Sequence, residues 1–202
     1  RDLAGRAGLD QRAMGLLAKA DALRGLSGDR LTSLWDASLA AVPDLPLAPT
    51  AERVAALPLL PMTLGQEVIA DFASTGLTLR AHPLSLLREQ LTYTYNAVPS
   101  DRLRRIASGR TIHVAGLVTC RQRPSTASGV TFVTLEDEAG NTNVVVWRDV
   151  AEQFRIPLLA SRLLVVTGTL EHQGPITHLI AGRLEDATEM LGGLLVAGRE
   201  FH

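Results

Sequence analysis

Lysine is almost absent from this chain: Lys19 is the only one among 20 basic residues. The positive charge is therefore arginine, which grips a phosphate with two donors and stacks on a base, whereas lysine acts as a point charge. Genome composition accounts for the same bias, since Ala, Leu and Gly are abundant. Cysteine is equally scarce. Cys120 stands alone, which excludes a disulfide within this sequence and a cysteine-built zinc site, and fits a reducing cytoplasm. No apolar run approaches the ~20 residues of a membrane-spanning helix, and no signal peptide opens the chain. The formal net charge of −1 excludes a strongly basic, stand-alone nucleic-acid binder, so such a role must rest on local patches. A Ser-His-Asp order, a phosphate-cradling glycine loop and a zinc motif are all missing. Glu136, Asp137 and Glu138 are adjacent carboxylates, but they fall at a hairpin turn with no partner histidine or second acidic cluster. Nucleotidyl-transfer metal chemistry needs carboxylates converging from separate strands. What remains is a binding module with no catalytic residues of its own and no cofactor.

The 202 residues are 46% hydrophobic and 20% charged, the balance of a globular chain long enough for two small domains. The pattern predicts an α+β chain in several parts: a helical domain over 1–41, a Pro-rich helical connector over 42–108, a barrel over 109–186 and a tail over 187–202. The first residue is Arg1, already inside a helical pattern, so the sequence is expected to be a piece of a longer one. Gly8 and Asp10 predict a stop and a new N-cap. LRGLSGDR, residues 23–30, predicts a tight turn, with Asp29 capping a helix whose apolar face holds Leu31, Leu34, Trp35 and Leu39. Helix, glycine turn, helix describes a helix-hairpin-helix, whose backbone N–H groups around Ser27 and Gly28 can meet a phosphate near Lys19, Arg24 and Arg30. An ordinary helical pair fits the same spacing. Pro43, Pro46, Pro49, Pro58 and Pro61 predict an extended linker. Thr63 and Gln66 have capping-box spacing. The helix they open would bury Leu64, Val68, Ile69 and Phe72 and stop at Gly76. His82-Pro83 opens a further helix, and His82 is read as structural. A short helix over Asp101–Ala107 would carry Arg102, Arg104 and Arg105, a solvated face or a backbone contact.

From Gly109 the apolar period becomes that of strands. Strands are predicted at Thr111–Thr119, Val130–Asp137, Thr142–Trp147, Leu163–Glu171 and Ile176–Leu184, with a short helix over Asp149–Phe154. Gly168 within the fourth predicts a bulge at a barrel corner. Five strands in this order describe a barrel of the OB type, which binds single-stranded nucleic acid on one face and its first loop. Arg121, Arg123, Thr126 and Ser128 would lie on that loop. Trp147 and Arg148 would end the third strand, with Phe132 and Asn143 on the strands themselves. Arginines attract phosphates, aromatics stack on any base and an asparagine amide can read a base edge. Phe132 and Trp147 would serve equally as barrel core, and Arg121 and Arg123 as a solvated loop.

ADFASTGLTLRAHPLSLLR (70–88) and RQRPSTASGVTFVTLEDEAGNTNVVVW (121–147) resemble the C-terminal region of bacterial C-family DNA polymerases, best the error-prone paralogue of the polymerase III alpha subunit. RDLAGRAGLDQRAMGLLAKADALRGLSGDR is similar to that family's helix-hairpin-helix region, and the ending GREFH to the paralogue's terminus. The resemblance implies a parent that extends DNA with Mg²⁺ at carboxylates of an upstream palm domain, in damage-induced mutagenesis, DNA repair and translesion synthesis. It implies duplex binding around Ser27-Gly28 and template or partner binding at the barrel. It also implies accessory proteins as partners, including an inactive Y-family polymerase homologue. Gln90-Leu91-Thr92-Tyr93 departs from the replicative relative's clamp motif, so recruitment by a sliding clamp is expected to be indirect. Two other readings stand beside this one. The first is a protein-docking module that touches no DNA, in which the barrel and the tail over 187–202, apolar around Met190–Val196, dock accessory proteins. The second is the replicative alpha subunit itself.

Overall fold

A computed structural model describes residues 2–39, 59–124, 129–174 and 176–196. They fall into two compact units divided between Arg80 and Ala81. The linker prolines 43, 46, 49 and 58, with Thr126 and Ser128, lie outside the described residues.

The first unit is helical. It contains α1 (Asp2–Ala7), α2 (Gln11–Lys19), a single turn α3 (Arg24–Ser27), α4 (Arg30–Leu39) and α5 (Leu64–Thr75). Asp10 caps α2 through an Ala13 N–H bond of 2.7 Å, and Asp29 caps α4 through Thr32 N–H at 2.9 Å. Unpaired donors at a helix start are thereby satisfied. Met14, Ala18, Leu23 and Ala37 form the small core. Trp35, expected on the apolar face of α4, is 43% exposed. Ser33 and Ala37 are buried there, with Arg30 at the helix start; the two short side chains let α2 and α4 approach.

The capping box of α5 forms as expected: Thr63 and Gln66 bond reciprocally at 2.8 and 3.3 Å, and Gly76 closes the helix in the left-handed region. The expected apolar face is corrected. Val68 is buried, but Leu64 and Phe72 stay exposed, while Glu67 and Asp71 are buried. Charge pairing overrides the hydrophobic period. Arg30, itself 2% exposed, pairs with Asp71, with Glu67 at 3.4 Å and with Asp21 at 3.9 Å. Arg80 pairs with the same three acids, and Thr78 donates to Asp71 at 2.7 Å. Burial pushes the Asp71 carboxyl up, but bonds from Arg80, Thr78 and Arg30 outweigh it and hold the group below its ordinary value.

The second unit is built on a closed barrel. Its strands are β1 (Thr111–Gln122), β2 (Thr131–Asp137), β3 (Gly140–Val146), β4 (Leu163–Gln173) and β5 (Ile176–Asp186), in the order β1-β2-β3-β5-β4. β3 and β5 pair in parallel and all other neighbours antiparallel. Alternate residues point inward: Ile112, Val114, Val133, Leu135, Val144, Val146, Leu164, Val166, Leu179 and Leu184 make the core. The register slips between Thr167 and Gly168, the expected corner. A Cβ on Gly168 would sit 2.3 Å from the Ile180 carbonyl oxygen, so no larger residue fits.

Between β3 and β4 lie α7 (Arg148–Gln153), as expected, and an additional α8 (Arg155–Ala160). α6 (Pro83–Tyr95) sets Leu84, Leu87 and Leu91 against Ala115, Leu163 and Val165 of the barrel. His82 caps α6, its Nδ1 accepting from Leu84 N–H at 3.1 Å, with Pro83 in the first turn. Residues 100–105 form a 3-10 helix rather than the expected longer one. It is anchored by Asp137, which accepts from Ser100 N–H and Oγ at 2.8 and 2.6 Å. The tail runs on as α9 (Thr188–Val196), with Met190 and Leu191 partly buried against the α6 cluster.

Candidate nucleic-acid interface

Strand alternation decides what the outer face of the barrel carries. In β2 the residues between Val133 and Leu135 face outward, and β3 behaves likewise around Val144 and Val146. Phe132 pairs with Val145 and Gln122, and Thr134 with Asn143 and Cys120. Asn143 in turn pairs with His178 of β5. Trp147 lies two residues beyond Val145 and so continues the same face. Phe132 and Trp147 are 41% and 55% exposed, which places both outside the core. Phe132 lies on β2 opposite Val145, and Trp147 follows the end of β3 as the residue that opens α7. An aromatic held outward on a sheet is costly surface to leave in water, yet it stacks on a base without regard to its identity.

The arginines separate into two kinds. Arg121 is opposite inward-facing Val133, because β1 slips register between Val118 and Cys120. Its Nε donates to the Leu158 carbonyl at 2.6 Å and an Nη to the Ser161 carbonyl. Those carbonyls end α8, so Arg121 closes the helix C-terminus, and burial pulls its pKa down. The structure places Arg121 within β1 rather than on the loop, exposed but with its guanidinium bonded to those carbonyls. Arg123 and Arg148 are exposed and flank Gly129, whose Cβ position is 3.6 Å from Arg123 Nη2 and 3.3 Å from Arg148 Cδ. Arg148 also pairs with Glu152 at 2.8 Å on the exposed side of α7. Two guanidinium groups thus stand beside the Trp147 end of the face, the arrangement that lets a backbone track past stacked bases.

In the helical unit, Lys19, Arg24 and Gly28 are exposed. Arg24 pairs with Asp21 at 3.3 Å. Ser27 Oγ bonds the Leu23 carbonyl at 3.0 Å and Ser33 Oγ, so the hydroxyl is spent on the turn. Arg30 is corrected: its guanidinium is buried among three carboxylates and is not offered to a phosphate.

The acidic run is engaged within the fold, with His82 Nε2 3.8 Å from Glu136. Asp137 is 5% exposed and accepts from Ser100, Ala139 N–H and Gly140 N–H, while Glu138 is bound by Arg88 at 2.5 Å. Among the described residues no three His, Cys, Asp or Glu cluster as metal ligands.

One element of the face escaped sequence reasoning. Asn141, Asn143, Ile176 and Thr177 border a cleft of about 220 Å³ whose far wall is the 3-10 helix, with Leu103 and Arg104. Only the pairing of β3 with β5 brings residues 141–143 beside 176–177, and that pairing is not local in sequence.

Residues 112–186 match the family model described as OB-fold nucleic acid binding domain. The whole chain is 52% identical over 204 residues to the error-prone DNA polymerase of Pseudomonas paraeruginosa strain PA7, covering 20% of that protein. It is 51% identical over 205 residues to the error-prone DNA polymerase of Pseudomonas aeruginosa PAO1, again 20% of its length. The chain therefore spans about a fifth of the length of the curated relatives it matches. Among solved structures, asparaginyl-tRNA synthetase from Pyrococcus horikoshii aligns with a TM-score of 0.40 at 19% identity, over 46% of this chain and 23% of that one. The resemblance carried by residues 70–88 and 121–147 is borne out.

Proposed function

We propose that a chain similar along its whole length to error-prone DNA polymerases is the C-terminal template-handling region of such an enzyme. The parent would be a DNA-directed DNA polymerase acting in damage-induced mutagenesis and translesion synthesis. Its Mg²⁺ chemistry would belong to other parts of the enzyme, since Asp137 and Glu138 are already saturated, and no step is assigned to this chain. The barrel would hold single-stranded template across Phe132, Asn143 and Trp147, with Arg123 and Arg148 on its phosphates. The hairpin would track duplex through Lys19, Arg24 and the backbone at Gly28. The observation that carries this reading is the exposure of two aromatics on one outer face of an OB barrel. Titrating a labelled single-stranded oligonucleotide at two salt concentrations tests it. Binding should weaken with a slope of about −1.4 in log–log form for two phosphate contacts. Absence of binding at low salt overturns the reading.

The docking alternative has its own observation. Ile156 and Leu159 on α8 are 77% and 60% exposed, adjacent apolar side chains with no structural duty. A partner of the inactive Y-family type, or another accessory mutagenesis protein, would cover them, leaving sliding-clamp recruitment indirect. Loss of partner capture by Ile156→Asp with Leu159→Asp, with oligonucleotide binding intact, would support it.

A further inference from the structure

The cleft between β3, the β4–β5 hairpin and the 3-10 helix has a composition unlike the rest of the barrel surface. Its polar groups are two amides, Asn141 and Asn143, and one guanidinium, Arg104; its apolar walls are Leu103 and Ile176, and no carboxylate lines it. Ser100 and Thr177 also border it, but both hydroxyls are occupied, by Asp137 at 2.6 Å and by His172 Nδ1 at 3.0 Å. Among the described residues, none hydrogen-bonds the side chains of Asn141, Asn143 or Arg104, and all three are exposed. Asn141 and Asn143 are two residues apart on one strand, so their amides emerge on the same face about 7 Å apart. That separation brackets the edge of a single planar heterocycle.

The walls are fixed in advance. His172 Nε2 bonds the Ile106 carbonyl at 2.8 Å, and Ser108 Oγ accepts from His172 N–H at 3.3 Å. These bonds tie the β4–β5 hairpin to the segment after the 3-10 helix. Asp137 ties the start of the same helix to β2. A preformed site loses less freedom on binding. At about 220 Å³ the cleft falls below the ~300 Å³ at which drug-sized ligand pockets begin, so it takes one base and leaves the sugar and phosphate outside, beside Arg104.

We propose that this cleft holds one unstacked base of a single strand, with Asn141 and Asn143 on the base edge, Ile176 against its face and Arg104 on the neighbouring phosphate. The proposal rests on the barrel binding single-stranded nucleic acid, and it adds a fixed register to stacking that would otherwise be sequence-tolerant. The 3-10 helix, outside the five strands, supplies the fourth wall and the cation.

The test is an abasic scan. Labelled single-stranded 12-mers, each with one base removed at a successive position, are titrated against the full chain and against Asn141→Ala with Asn143→Ala. The native chain should show one position, offset from the stacked bases, where base removal weakens binding about five- to tenfold, the net value of one or two hydrogen bonds. In the double variant that dependence should vanish, while base removal at the other positions keeps its relative effect. Arg104→Ala should weaken every oligonucleotide alike and lower the salt slope. If the native chain binds the 12-mers but no position depends on the asparagines, the cleft proposal is overturned and the stacking face stands. If no 12-mer binds, both fall together. Circular dichroism of the variants confirms that the barrel is intact, as expected for three exposed side chains.

Discussion

The two units solve the same problem with opposite means. The barrel is held by hydrocarbon: twelve buried strand residues meet in one core, and the outer face is released for function. Among the described residues the helical unit buries only five apolar side chains, Met14, Ala18, Leu23, Ala37 and Val68. It relies instead on Arg30 and Arg80 threaded among Asp21, Glu67 and Asp71. A buried ion cluster adds little net stability over an apolar replacement, but removing one member leaves uncompensated charge. The barrel therefore tolerates change at its surface, whereas the helical unit is brittle at one point. The same contrast governs the arginines. Arg123 and Arg148, just past the strand ends, are exposed, whereas Arg30 in the helical unit's interior is buried.

The largest expected effect follows from that brittleness. Arg30→Ala should cost the helical unit about 3–5 kcal/mol, seen as loss of amide-exchange protection in α2, α4 and α5 with β1–β5 unaffected. Uniform loss across both units would erase the distinction. Gly168→Ala should do the reverse. It forces a Cβ onto a backbone oxygen at 2.3 Å and should cost roughly 3 kcal/mol, confined to the barrel; an unchanged melting temperature would mean the corner is not closed as described. Phe132→Ala with Trp147→Ala should weaken single-strand binding by about 2–3 kcal/mol and leave the fold intact, because both rings are exposed. Acid should weaken the helical unit more gently. Asp71 is held below its ordinary value of 3.8, so its contribution is complete above that value and fades as pH falls through the lowered one. Stability of the helical unit should therefore fall below about pH 4, and Asp71→Asn should reduce that dependence. The smallest effect belongs to Arg148→Ala: no change in melting, and a salt slope shallower by about 0.7.

Sequence reading succeeded where local rules decide. Alternation located both ends of all five strands to within three residues, since most inward residues are apolar. The Asp10, Asp29 and Thr63 caps and the Gly168 corner need only their neighbours or an unusual residue. It failed where distant partners decide. Nothing near Glu67 or Asp71 announces that Arg30 and Arg80 will draw that side of α5 inward, so the apolar period pointed to Leu64 and Phe72. Arg121 read as a loop cation because the bulge in β1 and the carbonyls of α8 are both invisible in the strand pattern. Phe132 and Trp147 had two readings until the register chose the outer one. Asn141, Arg104 and Ile176 share a cleft only because β3 and β5 pair in parallel.

The stacking of bases on the outer face can be watched directly. Trp35 and Trp147 are the only tryptophans, so Trp35→Phe leaves fluorescence from the face alone. Titration with an unlabelled single strand should quench that emission in step with binding, and added salt should restore it. Unquenched Trp147 emission on a saturated complex would contradict the account.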